Sequence, residues 1–294
     1  MRLINLRSWC ASGAAFAAVI AVNTSTVDGA LAAECPGNPK ALGVARTVEI
    51  DTTGGPGFGM QHYRAYDFLQ EKEVILTFDD GPQVRTTHAI LKALAEHCTK
   101  ATFFSIGKMA LGLPEILRDV AKGGHTVGIH TWSHKNIRKL SSSKATEEIE
   151  KGASAVARAL GAPVATFFRF PFLRDSKDMI AYLGKRNIGI FSTDIDSFDF
   201  RYRSANKLVR DVMRKLDKRG KGMLLLHDIQ PVTAKAMPKL LERLAAGGYK
   251  IVHMKAKDEL KTIAKFDAMI EKNVKGLPAV GAERPLSSVV KTVQ

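Results

Sequence analysis

Short apolar runs alternate with segments of helical spacing from about residue 72 to about residue 255. The runs are nearly continuous in apolar residues, as expected for strands that are covered on both faces. These predicted strands are Val74–Phe78, Ala101–Ile106, Thr126–Ile129, Thr166–Phe170, Ile188–Ser192, Gly222–Leu226 and Tyr249–His253. The predicted helices between them are Thr87–His97, Pro114–Lys122, Ser143–Leu160, Ser176–Asn187, Ser204–Arg219 and Thr233–Ala246.

Strict alternation of strands and helices predicts right-handed crossovers and a parallel sheet, which places the chain in the α/β class. About seven such units suit either a β/α barrel or an open doubly wound sheet. We favour a deformed or incomplete parallel β/α barrel of about seven strands. Polar clusters follow several different strands, and a barrel gathers all of its strand ends around one mouth.

The two ends of the chain differ from this regular region. Arg2 and Arg7 precede an apolar stretch, Cys10–Val22, that is too short to span a bilayer comfortably. Small residues follow at 30–33, so a cleaved signal peptide is predicted over 1–33, with an uncleaved anchor as the alternative. The protein is therefore expected to be secreted or periplasmic. The remaining segments are an N-terminal extension (34–71), a main domain (72–265) and a C-terminal tail (266–294), with a last helix expected within 255–272.

The net charge and the cysteine content limit the possible binding partners and the cellular compartment of the protein. The chain has 44 Lys and Arg against 29 Asp and Glu, a formal net charge of +15. The basic residues are spread along the chain without a zinc-finger, helix-turn-helix or RNA-binding signature, so nucleic acid is not expected. An anionic cell envelope or polysaccharide suits the charge. Signal cleavage would leave Cys35 and Cys98, which either form a disulfide in an oxidising compartment or remain two buried thiols.

Polar residues capable of chemistry follow several of the predicted strands. They are Asp79 with Asp80, His130 with His134, Arg169, Asp194 with Asp196, and His227. Adjacent carboxylates repel each other, and a partly buried pair needs a compensating cation, although Asp-Gly-Pro is also ordinary turn chemistry. Because strand ends converge in a barrel, we expect all of these side chains at one mouth.

His130 and His134 are four residues apart, a spacing that points both imidazoles the same way on a helical turn. With one carboxylate of the Asp pair they predict a metal site that keeps open positions for water. The second carboxylate would accept a proton from water, and His227 would be the general acid. Taken singly, these histidines also suit structural roles, and Arg169 suits a surface ion pair. Together they indicate metal-assisted hydrolysis of an amide or ester carbonyl, and neither a Gly-x-Ser-x-Gly elbow nor a G-x-G-x-x-G loop is present.

Five motifs occur in a fixed order between about 72 and 255: Thr77–Pro82, His130–His134, Arg169–Phe172, Asp196–Phe200 and Leu225–His227. In this order they resemble the motifs of polysaccharide deacetylases with a NodB-type domain. The resemblance implies a deformed β/α barrel and one divalent metal ion, usually zinc, with cobalt or nickel as alternatives. It also implies removal of N- or O-acetyl groups from an acetylated glycan such as peptidoglycan, chitin oligomers, another hexosamine polymer or xylan.

The resemblance assigns chemical roles to individual residues. It makes Asp79 the catalytic base, which Arg169 positions. It makes His227 the general acid, tuned by Asp196 with Asp194 as a rival for that role. It implies that the metal ligands are Asp80, His130 and His134. The main domain (72–265) would then be the catalytic domain.

Three further positions bear on the substrate. By the same resemblance, the backbone N–H of Phe172 helps to form the oxyanion hole, and Leu225 lines the pocket for the acetyl methyl group. Phe172 and Phe200 stand where the family often has Tyr and Trp, which keeps an apolar wall but removes a polar group. Ile129 also departs from a frequent Asn. Two alternative functions stay open: hydrolysis of a small non-sugar amide on the same fold, and non-catalytic glycan binding at the envelope.

Overall fold

The computed structural model describes residues 35–274. The predicted signal peptide over 1–33 lies outside the described residues, as does the part of the predicted tail (266–294) from residue 275 onwards. Strands in the described part are β1 (Arg46–Ile50), β2 (Gly57–Phe58), β3 (Glu73–Asp79), β4 (Thr102–Ser105), β5 (Thr126–Ile129), β6 (Phe167–Phe168), β7 (Gly189–Phe191), β8 (Ile195–Asp196), β9 (Gly222–His227) and β10 (Lys250–Ala256). Helices are α1 (Val84–Glu96), α2 (Gly107–Gly112), α3 (Pro114–Lys122), α4 (Ser142–Leu160), α5 (Lys177–Lys185), α6 (Ala205–Arg219), α7 (Pro231–Ala246) and α8 (Ala264–Val274). Short 3-10 turns occupy Ile137–Lys139, Pro171–Leu173 and Asp199–Arg201.

Parallel pairing arranges strands β3 to β9 as a ring. β3 pairs with β4, and pairing continues through β5 and β6 to β7. On its other edge β3 pairs with β9, which in turn pairs with β8. β7 ends at Phe191 and β8 begins at Ile195, so the residues between them complete the ring through the chain itself. There the Thr193 hydroxyl and the Asp194 carboxylate bond to the Met223 backbone in place of a regular ladder. The predicted β/α barrel is confirmed, and its deformation lies at this junction.

The last predicted strand does not stand in the wall of the ring. β10 pairs with β3 only through Lys250 and Ile251, at the amino end of β3, and pairs with β1 along the length of β1. Thr126, the first residue of β5, donates its hydroxyl to the Met254 carbonyl of β10. β10 and β1 therefore cross the amino-terminal end of the ring, opposite the mouth. Because β1 and β2 come from residues 34–71, the predicted extension is part of the sheet.

Side chains of the strands alternate between the lumen and the layer of helices. In β3, Val74, Leu76 and Phe78 pack in the large core under the helices. Ile75 lies in a second cluster, which fills the lumen. The other buried members of the lumen cluster are Ile50, Phe58, Leu69, Phe104, Phe167, Phe191, Met223, Val252 and Met254. A filled lumen leaves polar chemistry to the open mouth at the carboxyl ends of the strands.

The carboxyl-terminal helix α8 extends beyond residue 265, the predicted end of the main domain. α8 begins at Ala264 and not near residue 255, because β10 continues to Ala256. Phe266 and Ile270 of α8 are buried, and the helix packs on α4. The folded domain thus reaches past 265. Among the described helices, none combines the length and the hydropathy that a bilayer crossing requires.

Cys35 and Cys98 form a disulfide, so the first of the two alternatives for these cysteines holds. The residues after Cys35 also dock on the end of α1 through hydrogen bonds. Asn38 Nδ2 donates to Glu96 O at 2.8 Å, and the Gly43 N–H donates to His97 O at 2.9 Å. The start of the described chain is thereby fixed to the turn that follows α1.

Candidate metal centre and active site

The alternation along the strands carries the predicted site residues to the mouth of the barrel. Asp79 comes four residues after Ile75, so its side chain lies on the lumen side of β3. His227 likewise comes four residues after Met223 and lies on the lumen side of β9. Asp79 and His227 are directly opposite each other in the pairing of the two strands. Asp80 lies just beyond β3 in a left-handed conformation, with φ of 80°. The strand pattern therefore sets both acids and the histidine at one end of the ring.

Asp80, His130 and His134 form a group that could hold a metal ion, and these three residues are called the metal group below. One ligand atom from each residue lies within 4.8 Å of the others. Asp80 Oδ1 is 3.5 Å from His130 Nε2 and 3.3 Å from His134 Nε2. His130 directly follows β5, and the tight loop after it returns His134 to the same point. The structure thus brings together the three predicted ligands.

The state of these side chains fits a divalent cation. Asp80 Oδ1 is buried and accepts no hydrogen bond from the described residues, so a cation would compensate a charge that is costly to bury. His130 Nδ1 lies 2.8 Å from the carbonyl oxygen of Arg169. A carbonyl can only accept, so Nδ1 carries the proton and Nε2 presents its lone pair. Burial lowers the pKa of both His130 and His134, which favours the neutral imidazole that binds metals.

The Asp79 carboxylate pairs with a guanidinium that is fully buried. Arg169 Nη1 donates to Asp79 Oδ1 at 2.7 Å, and no part of Arg169 is exposed. Other N–H groups of the guanidinium donate to Thr77 Oγ1, Phe191 O and Ser192 O. Burial lowers the pKa of Arg169, and the charge of Asp79 opposes that shift. Asp79 Oδ2 is left facing His130 Nε2, 3.9 Å away, so one oxygen is fixed while the other faces the metal group.

His227 is paired with Asp199 and not with Asp196, which corrects the prediction. Asp199 Oδ1 lies 2.6 Å from His227 Nδ1, and Asp199 Oδ2 accepts the backbone N–H of His227 at 2.7 Å. The Thr233 hydroxyl donates to the same Oδ2 at 2.6 Å. Burial lowers the pKa of His227, but the hydrogen bond and the charge of Asp199 outweigh burial and raise this pKa to about 9. The imidazole is therefore held in its protonated form.

The turn after β8 explains why Asp196 does not reach the histidine. Phe198 has a left-handed φ of 52°, so the chain reverses and brings Asp199 to the end of β9. Asp196 Oδ1 instead accepts the N–H of Phe198 at 2.8 Å. Asp194, the sequence rival, accepts the N–H of Met223 at the ring junction. Asp199 lies in the same Asp196–Phe200 motif as Asp196, but the sequence spacing did not show which of the two acids pairs with His227.

The predicted substrate residues lie around these groups. The Phe172 ring is 4.6 Å from the His134 ring, and the Phe200 ring is 5.7 Å from the His227 ring. Both phenylalanines are exposed, by 60% and 51%. Leu225 is buried two residues before His227, so it faces the same side of β9 below the histidine. The mouth is thus bordered by two exposed aromatic rings.

Asp228 also lies at the mouth, although the sequence predicted no role for it. Its buried carboxyl group accepts the Thr87 hydroxyl at 2.7 Å, and burial raises its pKa to about 7. A Cβ on Gly81 would overlap this carboxyl group. Gly81 therefore leaves room for Asp228 beneath the turn that carries Asp79 and Asp80. Its position directly after His227 in the sequence could have indicated that Asp228 lies near the site.

Comparison with known proteins identifies relatives of the chain. A family model described as polysaccharide deacetylase matches residues 68–191. This range contains Asp79, Asp80, His130, His134 and Arg169. A peptidoglycan-N-acetylglucosamine deacetylase of Bacillus cereus is 31% identical over 197 residues, which are 64% of this chain and 70% of that protein.

Two other relatives are longer than the matched region. A peptidoglycan-N-acetylglucosamine deacetylase of Listeria monocytogenes is 31% identical over 181 residues, 62% of this chain. A solved structure of a peptidoglycan deacetylase from Bdellovibrio bacteriovorus superimposes with a TM-score of 0.66 and 37% identity over 72% of this chain. The chain spans 38% of the length of the former and 59% of the latter.

Proposed function

This chain belongs to the polysaccharide deacetylase family, and we propose that it is a metal-dependent hydrolase that removes N- or O-linked acetyl groups from a glycan. One observation carries the proposal. The mouth of the barrel holds a group that could bind a metal, a carboxylate fixed by a buried arginine, and a histidine paired with a carboxylate. These parts correspond to a Lewis acid, a general base and a general acid.

The base side of the reaction follows from the two oxygens of Asp79. A divalent ion held by Asp80, His130 and His134 would supply a Lewis acid for the acetyl carbonyl and the attacking water. Arg169 occupies Oδ1 of Asp79, so Oδ2 is the atom that accepts the proton of the water. Because the guanidinium is buried and hydrogen-bonded on several sides, it holds Asp79 in one orientation throughout.

The acid side follows from the two nitrogens of His227. Nδ1 is engaged by Asp199, and Nε2, 4.0 Å from Asp80 Oδ2, faces the same space as the metal group. A pKa of about 9 keeps the imidazole protonated at neutral pH, so Nε2 can donate a proton to the leaving group. The Phe172 N–H is our proposed donor to the carbonyl oxygen, and Leu225 our proposed contact for the acetyl methyl group.

Peptidoglycan or a chitin-like hexosamine polymer is the substrate class we propose. The descriptions of the relatives support peptidoglycan. The exposed rings of Phe172 and Phe200 offer two apolar surfaces beside the reacting groups, which suit the apolar faces of pyranose rings. The test is an acetate-release screen of the zinc-loaded protein over peptidoglycan, chitooligosaccharides, poly-N-acetylglucosamine and acetylxylan. Loss of release on chelation and recovery with zinc or cobalt are expected; no release from any acetylated glycan by fully metal-loaded protein would refute the proposal.

Substitution of each acid in turn separates metal binding from turnover. Asp80→Asn should lower zinc affinity, because it removes a charged ligand next to His130 and His134. Asp79→Asn should keep much of the zinc but lower kcat by about 10²- to 10⁴-fold, since it removes the proton acceptor. Zinc titration and acetate release on both variants check this asymmetry. Equal loss of zinc in the two variants would mean that Asp79 is also a ligand.

Zinc is the metal we propose, because two imidazole nitrogens and one carboxylate oxygen match its usual ligands at sites that keep an open position. Cobalt and nickel accept similar ligands and are the alternatives. Metal analysis of protein purified without added metal, followed by reconstitution of the stripped protein with each ion, distinguishes them.

We also propose that the protein is exported and that residues 1–33 are removed. The basic residues, the apolar stretch and the small residues of the amino terminus support export. The disulfide between Cys35 and Cys98 supports an oxidising compartment. Amino-terminal sequencing of the protein from its producing cells should begin after Ala32 or Ala33; a start at Met1 would indicate the uncleaved anchor.

We also propose that the protein associates with an anionic envelope surface, because its formal net charge is +15. A groove of about 470 Å³ between α6 and α7 is lined by Arg210, Arg214, Lys239 and Arg243, with Asp217 as the acid among its lining residues. Such a concentration of cationic side chains attracts polyanions at low ionic strength. Salt-dependent co-sedimentation with envelope fragments tests this association, and sedimentation that salt does not change would argue against it.

A further inference from the structure

The loop that carries the second histidine of the metal group has an unusual backbone. Thr131 and His134 both have positive φ, 66° and 58°. A left-handed conformation is uncommon for any residue with a side chain, and it is an outlier for a β-branched residue such as Thr. Such residues are energetically unfavourable and persist only where their surroundings hold them. The metal group therefore depends on whatever holds the loop 131–134.

One side of this loop is held by a buried carboxylate on α4. The Ser133 N–H donates to Glu148 Oε2 at 3.0 Å, and the Ser133 hydroxyl lies 2.9 Å from Glu148 Oε1. The Trp132 N–H donates to the backbone oxygen of Glu148 at 2.8 Å. Only 7% of the Glu148 side chain is exposed, and Lys135 Nζ lies 3.1 Å from Oε1. One residue of α4 thus accepts hydrogen bonds from two successive residues of the loop.

Helices α4 and α2 also contact the loop through their backbones. A Cβ on Gly152 of α4 would lie 2.7 Å from Thr131 O and 2.8 Å from Trp132 N, so the helix and the loop are in backbone contact. The N–H groups of Gly107 and Lys108 in α2 donate to the Thr131 and Trp132 carbonyls, at 2.9 and 3.0 Å. Glu148 supplies the only charged acceptor among these described contacts. Its carboxylate fixes the residue directly before His134.

We propose that Glu148 is a positioning residue for the metal centre: it holds the loop so that His134 Nε2 meets Asp80 Oδ1 and His130 Nε2. The proposal rests on the proposed function only in assuming that this group binds a metal. Without the carboxylate, the Ser133 N–H loses its acceptor and the strained loop can relax toward ordinary backbone angles. His130 is fixed separately by β5 and by the Arg169 carbonyl, so His134 is the ligand that is displaced.

Zinc affinity, measured by competition with a chromophoric chelator, tests this role without using catalysis. Glu148→Ala should weaken zinc binding by about 10- to 100-fold, the range usual for residues that orient metal ligands. Glu147→Ala is the matched control, because Glu147 is the preceding residue of the same helix, half-exposed and paired with Lys151 at 3.4 Å. Glu147→Ala should leave zinc affinity unchanged. Zinc affinity of Glu148→Ala as high as that of the control would overturn the proposal.

Two more variants keep the test decisive if Glu148→Ala folds poorly by circular dichroism. Glu148→Gln retains one oxygen acceptor and should lose less zinc affinity than Glu148→Ala. Ser133→Ala removes the hydroxyl bond, and combined with Glu148→Gln it should cost less than the sum of the two single changes, because the two side chains share one interaction. Additive effects, or unchanged affinity in both single variants, would overturn the role of Glu148. Failure of the wild-type protein to bind zinc would overturn the metal centre itself, whereas zinc binding without acetate release would refute only the proposed reaction.

Discussion

One carboxylate determines the protonation of the proposed general acid. Asp199 contacts His227 at both Nδ1 and the backbone N–H, and its charge contributes to the raised pKa of about 9. Asp199→Asn removes that charge, so the pKa of His227 should fall and the basic limb of the pH profile of kcat/KM should move to lower pH. At neutral pH kcat/KM should drop by about 10²-fold or more, because less of the acid is protonated and the imidazole is less well oriented. A pH series of acetate release on the zinc-loaded variant measures both effects.

Asp196→Asn is the matched control for this substitution. Asp196 lies three residues earlier in the same motif, and its carboxylate accepts the Phe198 N–H and does not pair with the imidazole. The basic limb of Asp196→Asn should therefore stay close to that of the wild type. A shift of the limb in Asp196→Asn with none in Asp199→Asn would restore the role that the sequence predicted for Asp196.

For single residues, the sequence predicted which side chains lie at the mouth better than it predicted their hydrogen-bond partners. Asp79, Arg169 and His227 could be located because each comes at the end of a predicted strand, and strand ends converge at the mouth of a barrel. The partner of His227 depends on the left-handed turn at Phe198, and no period in the sequence encodes that reversal. The choice between Asp196 and Asp199 was therefore open to error until the turn was known.

Strands and helices were predictable where they are long enough to show a period. α3 occupies Pro114–Lys122 and β5 occupies Thr126–Ile129, as predicted. β2 and β8 have two residues each and α2 has six, so no period could reveal them. The place of β10 across the amino end of the ring is set by its pairing with β1, a strand from the far end of the sequence. Apolar runs alone do not distinguish a wall strand from a strand that closes one end.

Two buried histidines, His125 directly before β5 and His253 in β10, make this end of the barrel sensitive to acid. The Ala101 N–H donates to His125 Nδ1 at 3.1 Å, and His253 Nε2 lies 3.0 Å from the Thr126 hydroxyl. Burial, followed by the charge of Lys100, lowers the pKa of His125 to about 3. Burial, followed by nearby lysine charges, lowers the pKa of His253 to about 4. Both imidazoles are therefore neutral in the folded protein throughout the physiological range.

The consequence is a loss of stability as pH falls below the ordinary histidine value of 6.5. The unfolded chain takes up protons there, while the folded chain does not until about pH 4 or 3. The free energy of unfolding should fall by about 1.4 kcal/mol per pH unit for each of the two histidines below that value. The variant with both His125→Gln and His253→Gln should show a flatter pH dependence. Urea unfolding between about pH 5 and about pH 7 measures the slopes.

His88→Gln is the control for this comparison. His88 is about half exposed, in contact with Asp119 on the surface, so its replacement should leave the slope unchanged. Equal slopes for the wild type and the double variant would show that the two buried histidines do not control acid stability.

At the scale of the whole molecule, the segment before the main domain is fixed to the barrel at several separate places. β1 pairs with β10, β2 pairs with β7, and the disulfide joins Cys35 to Cys98 after α1. Tyr63 adds a contact near the mouth, since its hydroxyl donates to Asp175 just after the turn that carries Phe172. The barrel and its amino-terminal segment therefore form one folded body, and the disulfide restrains the unfolded chain over a long loop.

Removal of this disulfide should lower stability and leave the site intact. The bond closes a separation of 63 residues, for which the chain-entropy model gives about 4 kcal/mol, and about 2–4 kcal/mol is the usual range. The variant with both Cys35→Ser and Cys98→Ser should lose that much free energy of unfolding but keep zinc affinity and kcat at 25 °C, because its site residues stand on the ring strands and the loops that follow them. Urea unfolding with and without a reductant supplies the control, since the reductant should destabilise the wild type and leave the variant unchanged. A variant as stable as the oxidised wild type would mean that β1, β2 and the bonds from Asn38 and Gly43 suffice to hold the segment.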